Sequence, residues 1–269
     1  MRVLSNLLGL VLISLVTGCG SAHLPPGDSV ADPDEVQNRA VHDFNLGVDR
    51  AVVRPVANAY GTTVPEPIRD GVSNFAANLD QPRYVVNNLL QLRLGAAFEN
   101  TARFAINTTL GIGGLLDPAT GLGLPAQETD FGETLHVYGV REGAYTVLPL
   151  LGPSTSRDVL GMIVDAAMNP VRFLIETPER NYTTAAEIMA QLNNRYEARD
   201  TFDNILFESA DSYTQLRSLY LQNRRFELGA DPTVATPVEP QGDGTILPPT
   251  SSFDPTQDQY YDPYSDPNL

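Results

Sequence analysis

Lysine is absent from all 269 residues, and the 17 basic side chains are all arginine. A Walker-type nucleotide loop needs a lysine on the phosphates, and Schiff-base chemistry needs a side-chain amine. Neither can be built here, so any work the protein performs is not driven by its own ATP hydrolysis. Cysteine occurs once, as Cys19. With that thiol modified, no disulfide, thiolate nucleophile or iron–sulfur ligand remains, and the fold must be held by its core. Histidine occurs three times, as His23, His42 and His136, without metal-ligand spacing or an H-E-x-x-H pattern, so each reads as structural or surface. The formal net charge is −16, which leaves no basic face able to dominate a nucleic-acid contact. No serine stands in a G-x-S-x-G elbow. The cluster "GIGG" at 111–114 lacks a full phosphate-loop fingerprint and a preceding strand, and reads as a tight turn or a close helix approach. Nothing nominates a catalytic centre, so neither an enzyme nor a cofactor is expected, beyond lipid on Cys19.

Long apolar runs are also missing. Leu7 to Val16 is a ten-residue apolar stretch interrupted by Gly9 and Ser14 and preceded by the positive charge of Arg2. A bilayer span takes ~20 apolar residues, so this run has the length of a signal-peptide core. The residues that follow, Val16-Thr17-Gly18-Cys19, resemble the bacterial lipobox, in which the thiol receives a diacylglycerol and the signal is cut just before it. A chance cysteine beside an ordinary cleavage site is the alternative. Gly20 rather than aspartate after the cysteine favours sorting to the outer membrane. Each buried CH₂ adds roughly 0.8 kcal/mol, so two or three acyl chains make the anchor effectively permanent.

Residues 1–18 therefore read as a lipoprotein signal peptide and 19–33, "CGSAHLPPGDSVADP", as a flexible tether. Residues 230–269 hold seven acids, eight prolines and no basic residue, a composition that cannot offset its ordering entropy and reads as a disordered acidic tail. Between them, 34–229 forms one domain of ordinary size. Its pattern is mainly α: short amphipathic helices with one β-hairpin and a long C-terminal helix region. Val36, Ala40, Phe44, Val48 and Val52 recur every four residues, and Ile68, Val72, Phe75, Ala76 and Leu79 form a second stripe. Pro55, Pro65, Pro67 and Pro82 are expected to cut the first half into short helices. The capping-box form Thr184-Ala-Ala-Glu187 is expected to open a long helix running to about Arg225. Alternation of Leu135 and Val137, then Tyr145 and Val147, around a Gly-containing turn predicts the hairpin within 134–150. Thr155-Ser-Arg-Asp158 fits a helix start.

Several segments, in order, resemble one family. They are "NRAVHDFN" (38–45), "RPVANAY" (54–60), "VPEPIRDGVSNFAANLDQP" (64–82), "VNNLLQ" (86–91), "RFAINTTLGIGGLLDPA" (103–119), "DFGETLHVYGVREGAYTVLPLLGPSTSRD" (130–158) and "LRSLYLQNRR" (216–225). The MlaA/VacJ family of outer-membrane lipoproteins shares them, across roughly 36–228. The chain departs from the common pattern at His136 and Leu92, where relatives carry glycine, and at Ala144, where they carry proline. The resemblance implies a ring in the inner leaflet of the outer membrane, lipid-anchored, with an amphipathic channel. Through it, phospholipids misplaced in the outer leaflet return passively towards the periplasm. It implies phospholipids, the outer-membrane bilayer, a trimeric porin and a periplasmic lipid-binding protein as partners. Residues 36–110 hold seven arginines against six acids, and arginine meets phosphate bidentately. Arg39, Arg54, Arg69 and Arg103 are therefore candidate headgroup contacts, with pairing to nearby carboxylates as the other reading of each. His136, Tyr138, Arg141 and Tyr145 are candidates for a hairpin beside the channel. A porin-bracing lipoprotein without a transport role is the alternative function.

Overall fold

The computed structural model describes residues 31–169 and 179–229. The expected signal peptide, Cys19, most of the tether and the acidic tail lie outside the described residues.

Helix α1 (Glu35–Val48) continues through a π-helical segment (Asp49–Val53) into α2 (Arg54–Thr63). Helix α3 (Glu66–Leu90) is 25 residues long, roughly 37 Å. Pro67 lies in its first turn, where the missing N–H is one that no helix satisfies. Pro82 lies inside α3 and does not end it, contrary to the expected break. Ala76, Gln81, Asn87 and Asn88 are buried on a single face that passes across the proline. Packing of α3 against its neighbours outweighs the one backbone bond it loses. Helix α4 (Leu94–Thr109) is followed by the short α5 (Pro118–Gly121) and α6 (Phe131–Val137).

Strands β1 (Tyr145–Leu148) and β2 (Gly152–Thr155) pair antiparallel, with Tyr145 opposite Thr155 and Leu148 opposite Gly152. The predicted hairpin therefore exists ten residues further on than its first half was placed. Leu135 and Val137 belong to α6, because Asp130 caps that helix by accepting from Glu133 N at 2.7 Å. Thr155 ends β2 and caps α7 (Ser156–Met168), as its sequence context predicts.

Helices α8 (Glu179–Glu197) and α9 (Arg199–Asp203), a second π-helical segment (Asn204–Glu208) and α10 (Ser212–Glu227) complete the described chain. The long C-terminal helix is thus divided, and Thr184 lies within α8 rather than at its start. Asp211 forms the real cap of α10, accepting from Thr214 N at 3.1 Å.

Residues 31–32 correct the tether boundary. Asp32 accepts hydrogen bonds from Tyr213 Oη (2.5 Å), Arg217 Nη1 (2.6 Å) and Asn38 Nδ2 (2.8 Å). Ala31 accepts from Tyr145 N at 2.7 Å. The folded domain has begun by then.

Packing contacts close a circuit. Helix α1 touches β1, β1 pairs with β2, and β2 meets α7 and α10. From there α7 packs on α6, α6 on α3, α3 on α8, and α8 on α2, which returns to α1 through the first π segment.

Burial within this circuit is inverted. Among the described residues, nine hydrophobic side chains are buried, five of them alanine, against 22 polar or charged ones. The largest fully buried side chains are Gln81, Asn87, Asn88 and Asn100. Meanwhile 27 large hydrophobics are exposed, among them Val36 (85 %), Phe44, Val52, Ile68, Leu89 and Phe98 (74 %). The first apolar stripe read in the sequence is real but points outward at Val36, Ala40, Phe44 and Val52, whereas in the second only Ile68 is exposed and Ala76 is buried. Inside, some amides are satisfied by the backbone: Asn100 Nδ2 donates to Gln127 O (2.8 Å) and its Oδ1 accepts from Gln127 N (2.9 Å). An apolar outside of this extent marks contact with another apolar phase. Among the described residues, no helix is long and apolar enough to cross a membrane.

Candidate functional site

Within the circuit lies a cavity of about 520 Å³, bounded by α3, the Asp130 cap, β2, α7, α8 and α10. Among the described residues, six carboxylates line it (Asp80, Asp130, Asp158, Asp165, Glu187 and Glu227) against two guanidinium groups, Arg83 and Arg224. Arg224 Nη2 donates to Asp130 Oδ1 (2.8 Å) and Asp158 Oδ1 (3.0 Å). Burial would lower its pKa, but those two carboxylates raise it further than burial lowers it. Arg83 lies 3.3 Å from Asp80 and 3.6 Å from Asp165. Burial pushes the Asp80 carboxyl above its usual range, with Arg83 opposing. Asp158 is pressed upward by burial as well, yet Arg224, Thr155 and Arg157 hold it below its ordinary value. Its Oδ2 also accepts from Tyr220 Oη at 2.8 Å.

These groups converge because α6 and α7 cross almost backbone to backbone. A Cβ on Gly161 would run into Gly132 N and lie 2.8 Å from Gly132 Cα. That approach brings Asp158 beside the Asp130 cap, and Arg224 bridges the two.

Strand β2 separates the charged cavity from a second recess of about 360 Å³, since Pro153 lines both. This recess is mostly apolar, with Leu46, Val48, Val53, Leu150, Leu151 and Leu206 among its walls and Asp49 and Arg195 at one side. Arg195 holds Asp49 through Nε and Nη2, both at 2.9 Å, and Asp203 through Nη2 at 2.7 Å. Those two acids stand at the first π segment and directly before the second.

The four arginines singled out from the sequence lie elsewhere, and each is held by carboxylates. Arg39 binds Glu35 (2.7 Å) and Asp211 (3.0 Å) and covers the Tyr213 ring. Arg54 binds Asp203 at 2.5 Å. Arg69, buried, binds Asn193 and Glu197. Arg103, also buried, binds Asp117 (2.9 Å), Thr120 (3.0 Å) and the Leu124 carbonyl. None of the four lines the charged cavity, whose arginines are Arg83 and Arg224.

Of the hairpin candidates, only Tyr145 is in the hairpin. Its ring is buried with Val147, Tyr213 and Leu221 in a small apolar core and faces neither cavity. His136 lies in the last turn of α6, 3.4 Å from Arg157 Nη1 through Nδ1. Tyr138 Oη donates to Leu90 O at 2.7 Å, and Arg141 is exposed between α6 and β1. The hairpin does reach the cavity, through Pro153 and Ser154 of β2.

Two residues missed by the sequence reading position that hairpin. Asn38 and Asn45, the first and last residues of "NRAVHDFN", are two turns apart on α1. Asn38 donates to Tyr145 O (3.2 Å) and accepts from Val147 N (2.9 Å). Asn45 donates to Leu148 O (2.9 Å) and accepts from Leu150 N (2.8 Å). The signal was present as two amides spaced by seven on the face opposite the apolar stripe. The glycine-rich turn behaves as read: Gly113 and Gly114 take positive φ, and Gly111 packs against the carbonyls of Asn107 and Leu116. Leu92 has φ +59, a left-handed backbone that glycine adopts without strain.

Burial raises Asp117, but hydrogen bonds from Thr120, Asn107 and Arg103 outweigh it and hold its pKa at about 2, below the ordinary 3.8. A depressed carboxylate stabilises the fold above its unfolded pKa and loses that contribution as pH falls through the folded one. Thermal melting in detergent is therefore expected to drop between about pH 4 and pH 2. Asp117→Asn should melt lower at pH 7 and show a shallower acid limb, and an unchanged limb would refute this role.

A family model described as MlaA lipoprotein matches residues 30–227. An uncharacterised protein of Rickettsia felis is 36% identical over 190 residues, covering 70% of this chain and 74% of its own. The "Intermembrane phospholipid transport system lipoprotein MlaA" of Escherichia coli K12 is 36% identical over 217 residues, covering 79% of this chain and 84% of the relative. A solved chain described under "Structural basis for maintenance of bacterial outer membrane lipid asymmetry" superimposes with TM-score 0.63 at 34% identity. It covers 74% of this chain and 99% of its own.

Proposed function

Because the chain belongs to the MlaA lipoprotein family, we propose that it removes phospholipids from the outer leaflet and so maintains outer-membrane lipid asymmetry, as a passive conduit in intermembrane phospholipid transport. The inversion of burial carries this reading. Polar side chains turned inward around a charged cavity, with leucine, valine and phenylalanine turned outward, suit a body immersed in acyl chains. A phospholipid moving between leaflets must take its headgroup through hydrocarbon, where an unpaired charge is very costly. A polar cavity lowers that barrier and consumes no nucleotide. The adjoining apolar recess lets acyl chains stay out of the polar space while the headgroup enters it.

In this reading Cys19 carries the lipid anchor, and the domain lies in the inner leaflet of the outer membrane beside a trimeric porin. It passes lipids to a soluble lipid-binding protein of the same pathway. Deleting the gene is expected to raise outer-leaflet phospholipid and detergent sensitivity, and the parent gene should reverse both. Cys19→Ala should leave the membrane fraction and fail to complement. Unchanged outer-leaflet composition in the deletion strain would refute the conduit.

A further inference from the structure

We infer that the charged cavity admits zwitterionic phospholipids, whose headgroups carry an ammonium, in preference to anionic ones. The inference rests on the conduit reading and adds the substrate class.

Its basis is the balance and placement of charge. Among the described residues the cavity presents six carboxylates against two lining guanidinium groups, with Arg157 set against Asp158. Both lining guanidiniums are already answered: Arg224 by Asp130, Asp158 and Glu227, and Arg83 by Asp80 and Asp165. Among the described lining residues a lipid phosphate finds no uncommitted cation and meets more carboxylates than guanidiniums. An ammonium beside that phosphate offsets the excess, so an ethanolamine or choline headgroup enters as a neutral pair. A glycerol headgroup brings a further uncompensated negative charge, and cardiolipin brings two. Reachable carboxylates include Asp80 and Glu227, whose side chains are 37% and 49% exposed. Asn223 and Gln191 supply neutral polar groups on the same wall. The volume, about 520 Å³, lies within the ~300–1,000 Å³ of ordinary small-ligand pockets.

The test reconstitutes the full-length acylated protein in vesicles. Labelled phosphatidylethanolamine, phosphatidylcholine and phosphatidylglycerol with identical acyl chains are followed between leaflets. The two zwitterionic lipids should move about tenfold faster than phosphatidylglycerol, since clefts of one sign change local concentrations by that order or more. High salt should shrink the ratio by screening. The double variant Asp80→Asn, Glu227→Gln keeps the shape of both side chains and leaves Arg224 on Asp130 and Asp158. It should melt like the parent, move phosphatidylglycerol faster and cut the ratio to about threefold. Equal rates for the three lipids in the parent, or an unaltered ratio in the folded double variant, would overturn the preference while leaving the conduit standing. Movement of no lipid at all would overturn the conduit and the preference together.

Discussion

Gly161→Ala is expected to lower stability by about 3 kcal/mol, at the upper end of overpacking penalties, and to abolish complementation of a deletion strain. The new methyl group would run into Gly132 N and meet Gly132 Cα and the Phe131 carbonyl carbon at 2.8 and 3.2 Å. Backbone atoms cannot swing aside as a side-chain tip can, so α6 and α7 must separate. Separation pulls Asp130 from Asp158, and Arg224 cannot then bridge both. Loss of packing and loss of the cavity wall are thus one event. Gly47→Ala in α1 is the control, because nothing lies within 4 Å of its would-be Cβ. It should be neutral or slightly stabilising, by ~0.5–1 kcal/mol. A parent-like melting temperature for Gly161→Ala in detergent would show that the crossing is not tight.

Arg195→Met should cost about 3 kcal/mol, because removing one member of a buried ionic cluster strands the others. Asp49 is 14% exposed at its side chain and would keep little solvent in place of the lost guanidinium, while Asp203, 22% exposed, would keep only Arg54. Methionine fills similar volume, which separates the charge effect from a packing loss. Arg195→Lys should rescue poorly, since an ammonium cannot reproduce the paired contacts of Nε and Nη2 with Asp49. Neutralising the acids as well, by adding Asp49→Asn and Asp203→Asn to Arg195→Met, should restore much of the loss. Chemical denaturation in micelles measures all three, and a triple variant no better than Arg195→Met would refute the electrostatic account.

The helical class, the helix start at Thr155, the tight turn at 111–114 and the presence of one hairpin were legible in the sequence, because each rests on local rules. What failed depended on contacts distant along the chain. Leu135 and Val137 alternate as a strand would, but the Asp130 cap and the positive φ of Gly139 and Gly143 end a helix there and turn the chain first. Strand β2 reads Gly-Pro-Ser-Thr and carries no apolar alternation, so its pairing was invisible. Pro82 obeys no local rule because α3 is stabilised through its buried face. Amphipathic stripes give a direction for each helix without saying which side faces inward, and for the stripe that starts on α1 the usual inference points the wrong way. The carboxylate partners of the headgroup candidates escape the sequence for a related reason. Arg54 finds Asp203, 149 residues away, and Arg69 finds Glu197, 128 residues away, while Arg83 and Arg224 have no distinguishing local context.

The amides of Asn38 and Asn45 occupy the free rim of β1, and the other side of β2 opens on the charged cavity with Pro153 offering no N–H. The β1 rim of this two-stranded ribbon is therefore filled, and a third strand cannot be added there. A companion protein that docks on that rim has to recognise side chains instead.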